Sequence, residues 1–233
     1  MSKRIHIRDG WGSASLKFGL IYTEVLGWID LGHAQGTDIR MLLNDIERGE
    51  ASREPFYTVN YRQYMVDPNK IVKMGKYITW RIKRGRTQHE RQSIALAMMM
   101  IVAGKFEKLQ NSFPVNVLTD SGFSGEDLVS DLFGFYRVVS NQNHFHQIRP
   151  VSLEEALKRW DFYGPIGRYK NDKFIPLLFP DPEKSSTPVP YRGTLPSFMQ
   201  TVRPYSDFQS GNVIVQCNDG SFMDNAKKDN LRW

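Results

Sequence analysis

His33 has the surroundings best suited to chemistry, because it follows the apolar stretch GWIDLG at residues 27–32. The pattern predicts a strand that leads into a glycine-bounded loop, directly before a helix capped by Thr37. Glycines let the backbone turn sharply, and a helix N-terminus can hold an anion. We therefore expect His33 to be a general base or a metal ligand, with Asp30 orienting its ring. The alternative is a packing histidine bonded to a nearby carbonyl.

A second candidate loop, TDSGFSGED at residues 119–127, gathers serines, glycines and acids before another predicted helix. Ser121 or Ser124 can serve as a nucleophile, and Glu126 or Asp127 as an acid, a base or a metal ligand. Glu126 stands where the second glycine of a Gly-x-Ser-x-Gly elbow would be, so that hydrolase motif is absent. The alternative is an ordinary helix start, with Ser124 as the cap and the acids opposite the helix dipole.

These two loops are predicted to converge, so that His33 shares one pocket with Glu126 and Asp127. Each loop has glycines at the entrance to a helix, an arrangement typical of sites carried on loops of a rigid scaffold. The nitrogen and oxygen donors of His33, Asp38, Glu126 and Asp127 would also suit a divalent metal. A metal-dependent and a metal-free site both stay open at this point.

Three further features offer weaker sites. The stretch from 70 to 86 combines lysines and arginines with Tyr77 and Trp80, and we interpret it as the solvated face of a helix. We expect no specific nucleic-acid binding from it. His144 and His146 alternate as strand-borne metal ligands would, but no carboxylate lies close by in sequence and we interpret the pair as a feature of a surface loop. Cys217 follows an apolar run typical of a buried strand, where a thiol is usually inert.

The elements that must position these residues are predicted from apolar spacing and capping patterns. Thr87 with Glu90 and Ser152 with Glu155 have the Thr/Ser-x-x-Glu spacing of capping boxes. Strands are expected over 20–31, 54–66 and 211–217. Helices are expected near 38–48, 68–84, 88–110, 125–140 and 152–162. The predicted fold is α+β, a predominantly α-helical single domain with a few short strands.

The domain organisation is predicted from a change in composition after residue 164. Residues 1–164 would form the main globular domain with the candidate site, and residues 165–233 a proline-rich extension packed on it. Seven prolines fall from 176 to 204, so this segment is expected to be an extended surface excursion or a mobile loop rather than a regular element. Residues 180–194 in particular are expected to be mobile or held by surface contacts alone.

The segments GWIDLGHA (27–34) and SGFSGEDLVSDLFG (121–134) resemble the paired signatures of a bacterial domain family of unknown function. In that family a glycine-rich Ile-Asp-x-x-His element precedes one helix, and a Ser-x-Glu-Asp element opens a later one. The resemblance covers roughly residues 20–140. It implies a shared site, without naming a reaction, and its relatives are largely associated with the cell envelope. The residues that match the pattern are Asp30, His33, Asp38, Ser124, Glu126 and Asp127.

Composition and charge limit the classes of function that the chain can have. The formal net charge is +6, and the single cysteine excludes an internal disulfide. The N-terminus lacks the apolar stretch of a signal peptide, so we expect synthesis in the cytoplasm and, if the protein is exported, export in the folded state without a cleaved signal. No run is apolar enough for an integral membrane span.

The leading hypothesis is therefore a bacterial hydrolase of a cell-envelope component, peptidoglycan or lipid, acting as a secreted antibacterial effector on an anionic substrate. A cognate inhibitor protein would then be a further partner. Two alternatives stay open: a non-catalytic binding or adaptor protein, and a nucleic-acid-targeting toxin.

Overall fold

The computed structural model describes residues 2–67, 71–110 and 126–226. The chain divides into two compact units, and each unit is built from two separated stretches of sequence. The first unit comprises residues 1–37 and 123–201, and the second comprises residues 38–122 and 202–233. The predicted division into a main domain over 1–164 and an extension over 165–233 stays a prediction.

The described residues form four α-helices and seven strands in two sheets. The helices are α1 (Thr37–Ala51), α2 (Gln88–Gln110), α3 (Asp127–Val139) and α4 (Leu153–Tyr163). The strands are β1 (Leu20–Thr23), β2 (Gly27–Asp30), β3 (Phe56–Val66), β4 (Val72–Lys83), β5 (Leu177–Leu178), β6 (Tyr191–Arg192) and β7 (Val213–Asn225). This is a mixed α+β arrangement, and the prediction of a predominantly helical fold is wrong.

The first unit is built on a small sheet with the strand order β1-β2-β5-β6. β1 and β2 form an antiparallel hairpin, and every residue of β1 is buried. Alternation along the hairpin puts Tyr22 and Trp28 on one face, where Trp28 meets Trp160 of α4 edge to face at 5.8 Å. Ile21 and Ile29 lie on the opposite face, and α3 packs on β2. The sheet therefore lies between two helices.

The second unit is built on three long antiparallel strands in the order β3-β4-β7, with α2 packed on β3 and β4. The prediction of a helix over 68–84 is wrong, because residues 72–83 of this range form β4. Ile78, Trp80 and Ile82 are all buried and recur at every second residue, which is the period of a strand. Asp67 does not start a helix; its carboxylate accepts the backbone N–H groups of Ile71 and Val72, both at 2.6 Å.

Four of the five predicted helices are confirmed within a few residues, and their capping patterns are realised in part. The backbone N–H of Thr87 donates to Glu90 at 2.8 Å, and the N–H of Glu90 donates back to the Thr87 hydroxyl at 3.2 Å. Ser152 caps α4 by accepting the N–H of Glu155 at 3.2 Å. Local hydrogen bonding therefore identified these helix starts.

The proline-rich segment contributes regular structure to the first unit, against expectation. β5 pairs in parallel with β2, and β6 pairs with β5. Phe179 is 1 % exposed, because its ring packs on Tyr163 and Tyr169 in the core. The segment is thus held by core contacts and by a sheet, although residues 183–189 between the two strands are mostly exposed. Likewise β7 is longer and far more exposed than the buried strand predicted over 211–217.

Candidate functional site

The loop that carries His33 is folded by the side chain of Asp30 at the end of β2. One carboxylate oxygen of Asp30 accepts the backbone N–H of Gly32 at 2.6 Å and that of His33 at 3.2 Å. Aspartate commonly closes a turn in this way, by binding backbone groups two or three residues ahead. Asp30 therefore shapes the backbone of the loop, whereas the sequence predicted that it would orient the imidazole ring.

Helix α3 holds this loop from the other side. The hydroxyl of Ser130 accepts the backbone N–H of Asp30 at 3.0 Å and donates to the Glu126 carbonyl at 2.6 Å. The guanidinium of Arg137 donates to the carbonyls of Ala34 at 2.8 Å and Ala14 at 3.3 Å. The two ends of the loop are thus fixed to one helix.

The backbone of the loop lies directly on the backbone of α3. A Cβ atom added to Gly36 would lie 2.4 Å from the carbonyl oxygen of Gly134, and one added to Gly134 would lie 2.7 Å from the carbonyl oxygen of His33. Gly36 also has a φ of 60°, in the left-handed region that favours glycine. The flanking glycine that suggested a ligand site in the sequence is therefore used for close packing.

This packing brings His33 to Asp131. The Nδ1 atom of His33 and a carboxylate oxygen of Asp131 are 2.8 Å apart, within hydrogen-bonding distance. The side chain of Asp131 is 10 % exposed, whereas that of His33 is 42 % exposed. The second ring nitrogen, Nε2, has no hydrogen-bond partner within the described part of the chain. A ring held through one nitrogen and open at the other can exchange a proton with a bound molecule.

The charges around the ring favour the imidazolium. Desolvation by the surrounding protein lowers the pKa of His33, but the carboxylate of Asp131 and, through their charges, Asp127 and Asp30 raise it. The balance leaves the pKa of His33 well above its ordinary value of 6.5. Proton uptake by the ring is thus favoured, and the free base forms at a higher pH than for an ordinary histidine.

No protein-family model, no curated protein and no solved structure matches this chain. The resemblance to a bacterial domain family consequently stays a prediction, and the site has to be judged on its own geometry.

The other residues singled out in the sequence are distributed as follows. Ser121 and Ser124 lie outside the described residues. Glu126 is 1 % exposed and accepts the hydroxyl of Ser2 at 2.9 Å, while Asp127 acts on His33 through its charge. Their roles as catalytic groups stay predictions.

The metal proposal gains no support from the geometry. Asp38 belongs to the second unit, where it accepts a hydrogen bond from Tyr61. Over residues 2–67, 71–110 and 126–226, no three histidine, cysteine, aspartate or glutamate side chains are grouped as a metal site.

Sequence reasoning missed Ser130, Asp131 and Gly134. With Arg137 they occupy positions i, i+1, i+4 and i+7 of α3, which is one face of a helix. The sequence did offer a signal for these residues, because they form a polar, small-residue face on a helix that is otherwise apolar. What it packs against could not be deduced without the position of the His33 loop.

The structure places the three weaker candidates as follows. His144 is buried, stacks on Phe198 at 4.2 Å and bonds to the Ser140 hydroxyl at 2.7 Å. Cys217 lies on β7 in the second unit. In the basic stretch, the Lys76 ammonium pairs with Asp219 at 2.9 Å, and the Arg81 guanidinium lies 4.6 Å from the centre of the Phe56 ring. The helical face predicted for this stretch is a strand, and the prediction of no specific nucleic-acid binding stays open.

Across the described residues, no helix is long and apolar enough to cross a membrane.

Proposed function

We propose that this chain is a hydrolase in which His33 is the general base and Asp131 holds its ring. The single observation that carries the proposal is the 2.8 Å contact between Nδ1 of His33 and the carboxylate of Asp131. A carboxylate in this position fixes the tautomer and orientation of an imidazole, and it stabilises the imidazolium formed when Nε2 accepts a proton. The aspartate is nearly buried and the histidine is not, as this division of roles requires.

The anchoring of the loop supports the same assignment. A catalytic base must hold its geometry without the help of substrate, and rigid elements do this better than a free loop. Here Asp30 closes the turn, Ser130 ties it to α3, and Gly134 allows the two backbones to touch. A ring that served packing alone would not need an exposed face.

The reaction we propose is hydrolysis of an ester or amide bond. Nε2 of His33 would accept the proton of a hydroxyl group while its oxygen attacks the carbonyl carbon, and would return that proton to the leaving oxygen or nitrogen as the bond breaks. The hydroxyl group would belong to Ser121, Ser124 or a water molecule; a serine would form an acyl-enzyme ester, which a water molecule deprotonated by the same ring would then hydrolyse. Because the pKa of His33 is raised, the base form and the activity would increase with pH through that raised pKa.

The substrate we propose is a component of the bacterial cell envelope, peptidoglycan or lipid. The chain would reach it as a secreted effector. The support is the resemblance of the two motifs to an envelope-associated family, together with a net charge of +6 that suits an anionic surface.

The test is to incubate the purified protein with peptidoglycan sacculi and, separately, with anionic phospholipid vesicles, and to identify released products by mass spectrometry. We expect products from one of the two substrates. His33→Ala should reduce their release by about 10²-fold or more, the usual contribution of a general base. His89→Ala is the matched control, because His89 is exposed in the second unit. No products from either substrate, or equal release by wild type and His33→Ala, would refute the hydrolase.

A further inference from the structure

A cavity of about 550 Å³ opens in the first unit, and none of the residues that hold His33 lines it. Its volume lies in the range of small-molecule sites, roughly 300–1,000 Å³. Its wall includes the start of α4 at Ser152 and the turn around Arg149, and Trp11 also lines it. The proposed hydrolase chemistry uses none of these residues.

The wall of the cavity carries fixed charges that balance. Three cationic side chains each pair with an acidic one, so the lining offers both donors and acceptors without a net charge from these groups. The pairs are Arg149 with Glu24, Arg159 with Glu155 at 3.0 Å, and Lys184 with Asp181 at 2.9 Å. A phosphate or another strongly anionic ligand would meet as many carboxylates as cations. Balanced pairs instead suit a neutral ligand with many hydroxyl groups.

The deepest of these cations is held in place before any ligand arrives. The side chain of Arg159 is 6 % exposed, its Nε donates to the Phe179 carbonyl at 3.1 Å, and its guanidinium lies 4.7 Å from the centre of the Tyr22 ring. Arg149 has a φ of 54°, and it is the one residue other than glycine with a positive φ in the described ranges. Such backbone conformations are costly and cluster at binding sites.

Trp11 adds a flat apolar surface. It is 77 % exposed, which is unusual for an indole, but its backbone is not loose. The carboxylate of Asp9 accepts the N–H of Trp11 at 2.9 Å and the N–H of Leu153, at the start of α4, at 3.0 Å. The aromatic side chain is thus presented at the cavity by an anchored loop.

We propose that this cavity binds a neutral pyranose ring. The C–H face of such a ring can stack on the indole, while the guanidinium groups donate hydrogen bonds to its equatorial hydroxyls and the carboxylates accept hydrogen bonds from them. An aromatic plane beside ion pairs whose charges balance favours a sugar over an apolar or an anionic ligand. The proposal stands without the hydrolase, since it uses none of its residues; if both hold, the substrate is a glycan-containing polymer.

The experiment is isothermal titration calorimetry of the full-length protein with tri-N-acetylchitotriose, cellotriose and maltotriose, and co-sedimentation with purified sacculi. We expect at least one trisaccharide to bind with a Kd between about 10 μM and 1 mM. Trp11→Ala should weaken it about tenfold or more, as loss of an aromatic anchor does. Arg149→Asn, which tolerates the positive φ but removes the guanidinium, should weaken it similarly. If wild type co-sediments with sacculi and Trp11→Ala does not, the bound sugar belongs to a polymer. If wild type binds a trisaccharide but does not co-sediment, the ligand is a free oligosaccharide.

Two controls keep the test sharp. Phe162→Ala removes another exposed aromatic side chain, which lies on α4 and outside the cavity lining, and should leave binding unchanged. His33→Ala should also bind like wild type, so that a failure of the hydrolase and a failure of the sugar site are told apart. The proposal is overturned if none of the three trisaccharides binds, or if Trp11→Ala binds as tightly as wild type.

Discussion

Gly36 and Gly134 face each other so closely that a Cβ on Gly36 would lie 2.4 Å from the Gly134 carbonyl oxygen. Gly36 follows His33 in the loop, and Gly134 follows Asp131 on α3, in each case by three residues. A side chain at either position would hold the loop away from the helix. The contact between the two glycines is thus what allows the loop to approach α3 closely enough for His33 to reach Asp131.

Gly134→Ala should therefore destabilise the protein by about 1–3 kcal/mol, because the new methyl group would lie 2.7 Å from the His33 carbonyl oxygen and force the loop away. Thermal or denaturant unfolding measures the loss. Gly104→Ala is the matched control: this glycine is also helical, a Cβ there meets no atom of the described residues within 4 Å, and alanine should stabilise the helix by about 0.8–1 kcal/mol. A neutral or stabilising Gly134→Ala would contradict the close packing of loop and helix.

Asp131→Asn should lower the pKa of His33 towards 6.5, since it removes the nearest charge that raises it. Because the folded-state pKa is raised, the stability that the pair contributes is complete below about pH 6.5 and is lost as the pH rises through the folded-state pKa. NMR titration of the imidazole signals measures the shift. Asp45→Asn, a change in the second unit, should leave the His33 titration as it is. An unchanged titration in Asp131→Asn would show that the pair does not form in solution.

The pH dependence of the proposed hydrolysis should follow the base form of His33. We expect kcat/KM to rise with pH through the raised pKa of His33. In Asp131→Asn the rise should move to lower pH and the maximal rate should fall, because the ring is no longer held. A profile that is flat across this range would rule out His33 as the base.

Tyr22→Phe should cost about 1–3 kcal/mol, because it removes the acceptor of the buried Phe179 N–H and one of the two donors to the Phe179 carbonyl, which keeps Arg159. The Tyr22 hydroxyl donates to the Phe179 carbonyl at 2.7 Å and accepts the Phe179 N–H at 2.8 Å. Burial also raises the pKa of Tyr22 to about 12, so the hydroxyl keeps its proton at neutral pH. Tyr191→Phe, at a side chain that is 54 % exposed, should change the free energy of unfolding by less than about 0.5 kcal/mol. Equal effects of the two changes would contradict the role of the hydroxyl.

Among the described residues, limited proteolysis should cut first within 183–189. This stretch is mostly exposed, whereas Phe179 before it is in the core and β6 after it is paired in a sheet. Mass spectrometry of the first fragments locates the cut. Early cleavage inside α2, many of whose residues are buried, would contradict the described packing.

The sequence by itself determined those helix starts that depend on hydrogen bonds between residues a few positions apart. Thr87 and Glu90, and Ser152 and Glu155, start helices through hydrogen bonds across one turn, so their spacing was sufficient. It also singled out His33 as a histidine in a special loop. The wrong prediction of a helix at β4 has a local cause. The dipeptide Asp67-Pro68 has the sequence of a helix start, and the prediction followed it rather than the two-residue period of Ile78, Trp80 and Ile82.

Only the tertiary structure decided which carboxylate His33 meets. Asp30, Asp127 and Asp131 are all candidates along the chain, and nothing in their spacing distinguishes them. The choice depends on where the loop lands on α3, which is fixed by the contact of Gly36 with Gly134, about a hundred residues apart. The cavity beside Trp11 has the same origin, since its wall joins residues near both ends of the first unit. Long-range packing of this kind leaves no periodic trace in the sequence, because it depends on surfaces that exist after the elements have formed.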